Sequence, residues 1–298
     1  MGSPEPDDED GAVESAIEWI DASSHLDVGE GLRIAYRRRG EGPAIVLLHG
    51  FPTWSYDYAI VADDLSRDHT VITLDFLGYG ASDKPRNHQY SVASSADAVA
   101  AVLATEQITA AWLVVHDYGS IVAQEILDRR RRAVLPYSIT GVDVLNSGIV
   151  YAAYRPTQTQ RALSAPIVGA LLARLVSRRT LKHAVDGVRA HPTSEAEFDE
   201  LWVGIARFQG HRITDRLLGY NAERAVHHTR WETALKAWEG PLHLIWGLED
   251  PVSGAHVLAA AQEQLPQAKI TRLEGVGHFP QSEAPAAVLA ALRSHLYH

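Results

Sequence analysis

Apolar residues along this chain fall into two alternating patterns, and the alternation predicts the architecture. Short aliphatic and β-branched runs occupy 32–38, 44–49, 71–75, 110–116, 139–145, 242–246 and 269–273, mostly followed by turn-forming residues. Such runs read as strands. Several, such as Ala44-Ile45-Val46-Leu47-Leu48, are apolar throughout, as strands buried on both faces should be. The stretches between them at 92–105, 120–130, 256–265 and 286–296 read as helices. Strand and helix in alternation predict an α/β fold, with a mostly parallel central sheet and helices on both faces.

The alternation lapses after Asn146 and resumes near Pro241, and the intervening stretch is rich in Leu, Ala, Arg and His. Residues 147–239 are therefore expected to form an inserted helical cap over a core built from 23–146 and 240–298. Residues 1–22 are expected to be a partly disordered N-terminal arm, because the acidic, Pro-containing start has too little apolar surface to order itself.

Composition removes several classes of function. With 46% hydrophobic and 21% charged residues the chain is an ordinary globular one. Its net charge of −10, with the four arginines at 129–132 as the longest basic run, leaves little attraction for nucleic acid. That run suits a helix C-terminus. Without cysteine there is no disulfide, no thiolate nucleophile and no sulfur-ligated metal. The histidines lack HExxH-type spacing, and His227 and His228 point different ways on a helix, so no metal or other cofactor is expected. No leader pattern opens the chain and no apolar run approaches the roughly 20 residues of a membrane span. A cytoplasmic protein without membrane contact is expected, its oligomeric state open, a homodimer included.

In an open parallel sheet, ligands bind beyond the carboxyl ends of the strands. His49-Gly50-Phe51-Pro52 follows one strand, and a loop from Asp75 to Pro85 follows another. His116-Asp117-Tyr118-Gly119-Ser120 lies between a strand and a helix, and Gly275-Val276-Gly277-His278 follows the last strand. A sharp strand-to-helix turn lifts one side chain above the sheet, and Asp117 takes that place. Asp117 would also serve as a plain helix N-cap. The chain order decides for chemistry: nucleophile, then an acid after a late strand (Asp250, with Glu249 as its rival), then His278. Ser120 is a weaker rival nucleophile, three residues past the turn.

These motifs resemble those of epoxide hydrolases and haloalkane dehalogenases in the α/β-hydrolase superfamily. The likeness over residues 30–296 is narrowest to the mesoderm-specific transcript proteins, which share the 116–119 motif, the Leu201-Trp202 region, the stretch 218–224 before Trp231, and Asp250-Pro251. The resemblance implies an oxyanion hole from the backbone N–H groups of Phe51 and Tyr118, and a ring-opening proton donor at Tyr220 in the cap. Trp54, Tyr151, Tyr154, His183 and Trp202 are further candidates for substrate contact. Of these, Tyr151, Tyr154 and His183 read better as packing residues, since the first cap tyrosine of the family has no easy match here.

A carboxylate with a reference pKa of about 3.9 is ionised at neutral pH and needs no base to attack. Asp117 would form an alkyl ester with a small, moderately apolar substrate, and water activated by His278, oriented by Asp250, would hydrolyse it. An epoxide is the expected substrate, converted to a vicinal diol. The alternatives are a haloalkane, although Tyr118 and Phe51 stand where dehalogenases usually carry their Trp and Asn halide donors, and a fold that only binds ligands.

Overall fold

The computed structural model describes residues 14–296. Eight strands form one sheet: β1 Ser24–Asp27, β2 Arg33–Arg39, β3 Ala44–Leu48, β4 Thr70–Leu74, β5 Ala110–His116, β6 Ser138–Leu145, β7 Leu242–Gly247 and β8 Lys269–Leu273. Their order is β1-β2-β4-β3-β5-β6-β7-β8. From β4 to β8 every pairing is parallel, while β1 and β2 add an antiparallel edge. The α/β fold expected from the hydrophobic pattern is the one that forms. β1 carries no apolar pattern, being largely exposed, and its pairing with β2 makes it a strand.

Helices α1 Ala16–Asp21, α2 Ala59–Leu65, α3 Val92–Thr105 and α4 Tyr118–Arg131 lie before β6. Between β6 and β7 the regular elements are all helical: α5 Gln158–Ser164, α6 Pro166–Ala173, α7 Arg178–Asp186, α8 Glu195–Ala206, α9 Thr214–Leu217 and α10 Tyr220–Lys236, with one 3₁₀ segment. Helices α11 Ala255–Gln264, α12 Pro280–Glu283 and α13 Pro285–Leu296 follow. Of the arm expected over 1–22, residues 1–13 lie outside the described residues. The remainder carries α1, started by a Ser15–Glu18 capping box and anchored by the buried Trp19, whose indole N–H donates to Ser55.

Helix α4 is buried from Tyr118 to Asp128, and its two inner carboxylates tie the inserted helices to the sheet. Glu125 accepts from the Trp231 indole at 2.7 Å, and Asp128 accepts from Arg230 at 2.6 Å. Trp231 and Arg230 both belong to α10, which is thereby held along α4, its first residue Tyr220 reaching Tyr118 at the start of that helix.

Candidate active site

Asp117 sits between β5 and α4 with φ 44° and ψ −111°, a backbone conformation outside the favoured regions. Strain of this kind costs on the order of 1–3 kcal/mol and persists where the surroundings enforce it. Here close packing enforces it. A Cβ on Gly119 would lie 2.4 Å from the Leu48 carbonyl oxygen, and one on Gly50 would lie 2.5 Å from the Asp117 Cβ. Glycine at these two positions lets the β3 and β5 loops touch. Gly119→Ala is expected to destabilise the fold by about 2–3 kcal/mol through overpacking against backbone, read as a lowered urea midpoint.

The Asp117 carboxylate is met from two sides. The Phe51 N–H donates to its Oδ1 at 2.9 Å, and His278 Nε2 lies 3.6 Å from its Oδ2. The other imidazole nitrogen, Nδ1, donates to Asp250 Oδ2 at 2.7 Å. All three side chains are buried. Burial alone would raise the Asp117 carboxyl, yet the bond and charge of His278 and the Phe51 N–H hold it below its usual value. Burial likewise opposes charge on His278, but Asp250 and Asp117 together raise its pKa to about 10. Asp250 is held well below the usual carboxylate range: burial pushes it up, while His278, the Ser253 hydroxyl and the Val252 N–H push it down further. The two carboxylates thus favour the protonated form of His278, and His278 favours the ionised form of each.

Both rivals fall away on geometry. Glu249 is exposed, whereas Asp250 makes the bond to His278. Ser120 Oγ is buried without a hydrogen-bond partner, so no base is in place to activate it.

Several participants carried no clear signal along the chain. Asn146, at the end of β6, donates to Asp250 Oδ2 and the Gly247 carbonyl and accepts from the Gly247 N–H, fixing the acid loop. Ser253 donates to the same Asp250 oxygen at 2.6 Å. Glu283 accepts from the N–H groups of Gly277, Phe279 and Ala190, joining the His278 loop to the inserted helices. His116 Nε2 donates to the His278 carbonyl, and its Nδ1 accepts from Gln281. Burial, reinforced by the charge on His278, drops its pKa to about 3 and keeps it neutral. Asn146 is the last residue before the alternation breaks, and a polar residue at the end of an apolar strand is its signal in the sequence.

Two of the expected cap residues converge on this centre. Tyr220, at the start of α10, packs its ring 5.0 Å from that of Tyr118. Tyr154 Oη makes no hydrogen bond of normal geometry, but lies close enough to Tyr220 and to the Asp117 charge to interact with both. Burial first, and then the Asp117 carboxylate, push both phenols up, so each remains a proton donor. Buried Arg224 stacks its guanidinium 4.3 Å above the Tyr154 ring and donates to the Gly148 carbonyl, fixing that ring's position. Tyr154, read from the chain as a packing residue, is half-buried against Arg224 with its hydroxyl enclosed.

The remaining candidates lie elsewhere. Trp54 is fully buried and spent on packing: its indole N–H donates to the Leu201 carbonyl, and Gly204 leaves room for its ring. Trp202 packs against Phe198 and His211, Tyr151 stacks on His228 at 4.5 Å, and His183 is exposed on α7. A small cavity of about 60 Å³ adjoins His278, lined mainly by apolar residues including Phe51, Leu163, Leu181, Val185 and Val252. A larger one of about 360 Å³ touches Tyr118 but neither Asp117 nor His278.

Comparison with known proteins shows the family and the fold. The Alpha/beta hydrolase family matches residues 45–292. A Mycobacterium tuberculosis protein named as hydrolase LipZ is 36% identical over 286 residues, covering 95% of this chain and 98% of its own. The human mesoderm-specific transcript homolog protein is 38% identical over 280 residues, covering 88% of this chain and 82% of its own. Among solved structures, haloalkane dehalogenase DbeA from Bradyrhizobium elkani aligns with a TM-score of 0.75 at 24% identity, over 91% of this chain and 96% of its own. That last likeness concerns the fold.

Proposed function

Because the chain belongs to the alpha/beta hydrolase family, we propose that it is a hydrolase converting an epoxide to a vicinal diol through an ester on Asp117. The observation that carries this reading is the pair of phenols, Tyr220, buried and packed 5.0 Å from the ring of Tyr118 beside the nucleophile, and Tyr154, whose hydroxyl is enclosed without a hydrogen-bond partner. An epoxide oxygen leaves as an alkoxide and needs a proton, which such phenols supply. A halide needs only N–H donors, and neither Phe51 nor Tyr118 offers an indole or amide side chain for that purpose. In this reading 147–239 is the cap that brings the donors to the core.

The charge state of His278 orders the steps. Asp117 attacks one ring carbon, the carbon–oxygen bond breaks, and a phenol protonates the oxygen. Esterification removes the Asp117 charge, one of the interactions that keep the imidazolium protonated, so His278 gives up its proton to restore the phenol. The neutral imidazole then takes a proton from water, whose oxygen attacks the ester carbonyl. The developing oxyanion rests on the N–H groups of Phe51 and Tyr118. Collapse breaks the ester carbon–oxygen bond, the leaving alkoxide takes the proton of the newly added hydroxyl to become the diol, and Asp117 returns as carboxylate beside a protonated His278. The apolar lining next to His278 favours a moderately apolar substrate, and the small cavity means that cap side chains such as Leu163 and Leu181 must move aside to admit it.

The experiment is single-turnover diol formation from a panel of epoxides. Tyr220→Phe and Tyr154→Phe should each slow ring opening, and together they should slow it by about 100-fold to 10,000-fold, the usual range for general acid catalysis. Binding should change less, because both rings remain. A double variant with wild-type rate would remove the phenols from the mechanism.

A further inference from the structure

The described residues leave one apolar surface uncovered. Helix α6 and the turn after it expose Ile167, Val168, Leu171, Leu172 and Leu175, with Ile167 79% and Leu175 74% accessible. Ile167 and Leu171, four residues apart on α6, share one face, Val168 and Leu172 lie beside them, and Leu175 follows in the turn. Exposed patches of this sort on a folded domain mark interaction sites.

Charge around the patch is segregated. Residues 155–182 contain Arg155, Arg161, Arg174, Arg178, Arg179 and Lys182 and no carboxylate, in a chain of net charge −10. Arg161, Arg174 and Arg179 are exposed and form no ion pair with described residues. Against α6 lies a cleft of about 280 Å³ lined by Arg86, Arg174, Arg212 and Arg216, whose acid, Asp215, lies 3.5 Å from Arg216. On the α5–α7 side, Leu172 and Leu175 line an apolar cavity of about 420 Å³. That cavity shares Thr159, Leu163, Leu181 and Ala184 with the small cavity at His278.

We propose that α6 and its arginine cleft form a docking surface for an anionic phospholipid bilayer. Aliphatic side chains inserted between acyl chains, with cations at headgroup level, are the chemistry of interfacial helices. The absence of membrane contact expected from the sequence rested on the lack of a spanning segment. No described helix is long and apolar enough to cross a membrane, and peripheral docking needs none. The overall negative charge does not prevent it, because at physiological salt charges beyond about 8 Å are largely screened while the arginines touch the surface. A second copy of this chain fits the same patch poorly, since a two-fold contact would set the arginine cleft near its own image. If the proposed hydrolase reading holds, the shared cavities make this surface the entry for an apolar substrate dissolved in the bilayer; the docking itself does not depend on that reading.

The test is co-sedimentation of the tag-free full chain with phosphatidylcholine vesicles, with and without phosphatidylglycerol. Phosphatidylglycerol should raise the bound fraction about tenfold, as expected where a few basic side chains engage an anionic surface, and added salt should reverse the gain. Ile167→Asp with Leu171→Asp should abolish binding, and Arg174→Glu with Arg212→Glu should remove the preference for phosphatidylglycerol. Thermal melts of both exposed-residue variants should match the wild type. Absence of phosphatidylglycerol-dependent binding, or binding that survives the Ile167 and Leu171 changes, overturns the proposal. So does a dimer in analytical ultracentrifugation that those two changes dissociate. Because vesicle binding requires no turnover, Asp117→Ala protein should bind as the wild type does, which separates failure of docking from failure of the hydrolase reading.

Discussion

Asp117→Ala is expected to lower kcat by about 10,000-fold or more, the scale seen when a nucleophile is removed from a machinery that acts as a unit. The loss should be catalytic rather than structural. Asp117 takes no part in a helix cap bond, and its removal relieves a buried carboxylate while leaving His278 paired with Asp250. Alanine at φ 44° is somewhat more strained than aspartate, since short polar side chains tolerate positive φ better, so a modest drop in melting temperature with a cooperative transition is expected. The measurement is steady-state diol formation beside a thermal melt. Activity near the wild-type level would end the carboxylate-nucleophile reading. Ser120→Ala should change little, and complete loss there would point to a serine mechanism instead.

His278→Gln is expected to stop the cycle one step later. Asp117 keeps the Phe51 N–H bond and, without burial relief from a neighbouring imidazolium, is a slower but still competent nucleophile. Nothing remains to deprotonate water, so turnover should fall by about 100-fold to 10,000-fold, the contribution of a general base, and the ester should accumulate. Intact-protein mass spectrometry reads the outcome directly. An epoxide adds its full mass, because the ring oxygen stays in the adduct as a hydroxyl, whereas a haloalkane adds its mass less the halogen and a proton's worth of exchange at the carboxyl. Peptide mapping should place the adduct on the segment holding Asp117. An adduct on Ser120, or none from any reactive substrate of either class, would count against the mechanism.

The sequence by itself determined the sheet and the polarity of the site. Runs such as Ala44–Leu48 and Ala110–His116 read as strands and form them, and the placing of Asp117, Asp250 and His278 beyond the ends of β5, β7 and β8 put their side chains at one edge, because parallel strands share a direction. Those are properties of local pattern and topology, which a linear reading carries. Which cap residues reach that edge was decided only by packing. Tyr154 is fixed in place because Arg224, on a helix far along the chain, stacks on its ring. Trp54, an equally plausible aromatic candidate, is spent beneath α8 because Gly204 opens a slot for it. Asn146 acts through a hydrogen bond to the loop after β7, and Glu283 joins the inserted segment through the Ala190 N–H, while Ser253 acts within the acid's own loop. Spacing along the chain does not reveal the long-range partners, since each arises where separate elements are pressed together, and the two carboxylates that favour a protonated His278 reach it only through the fold.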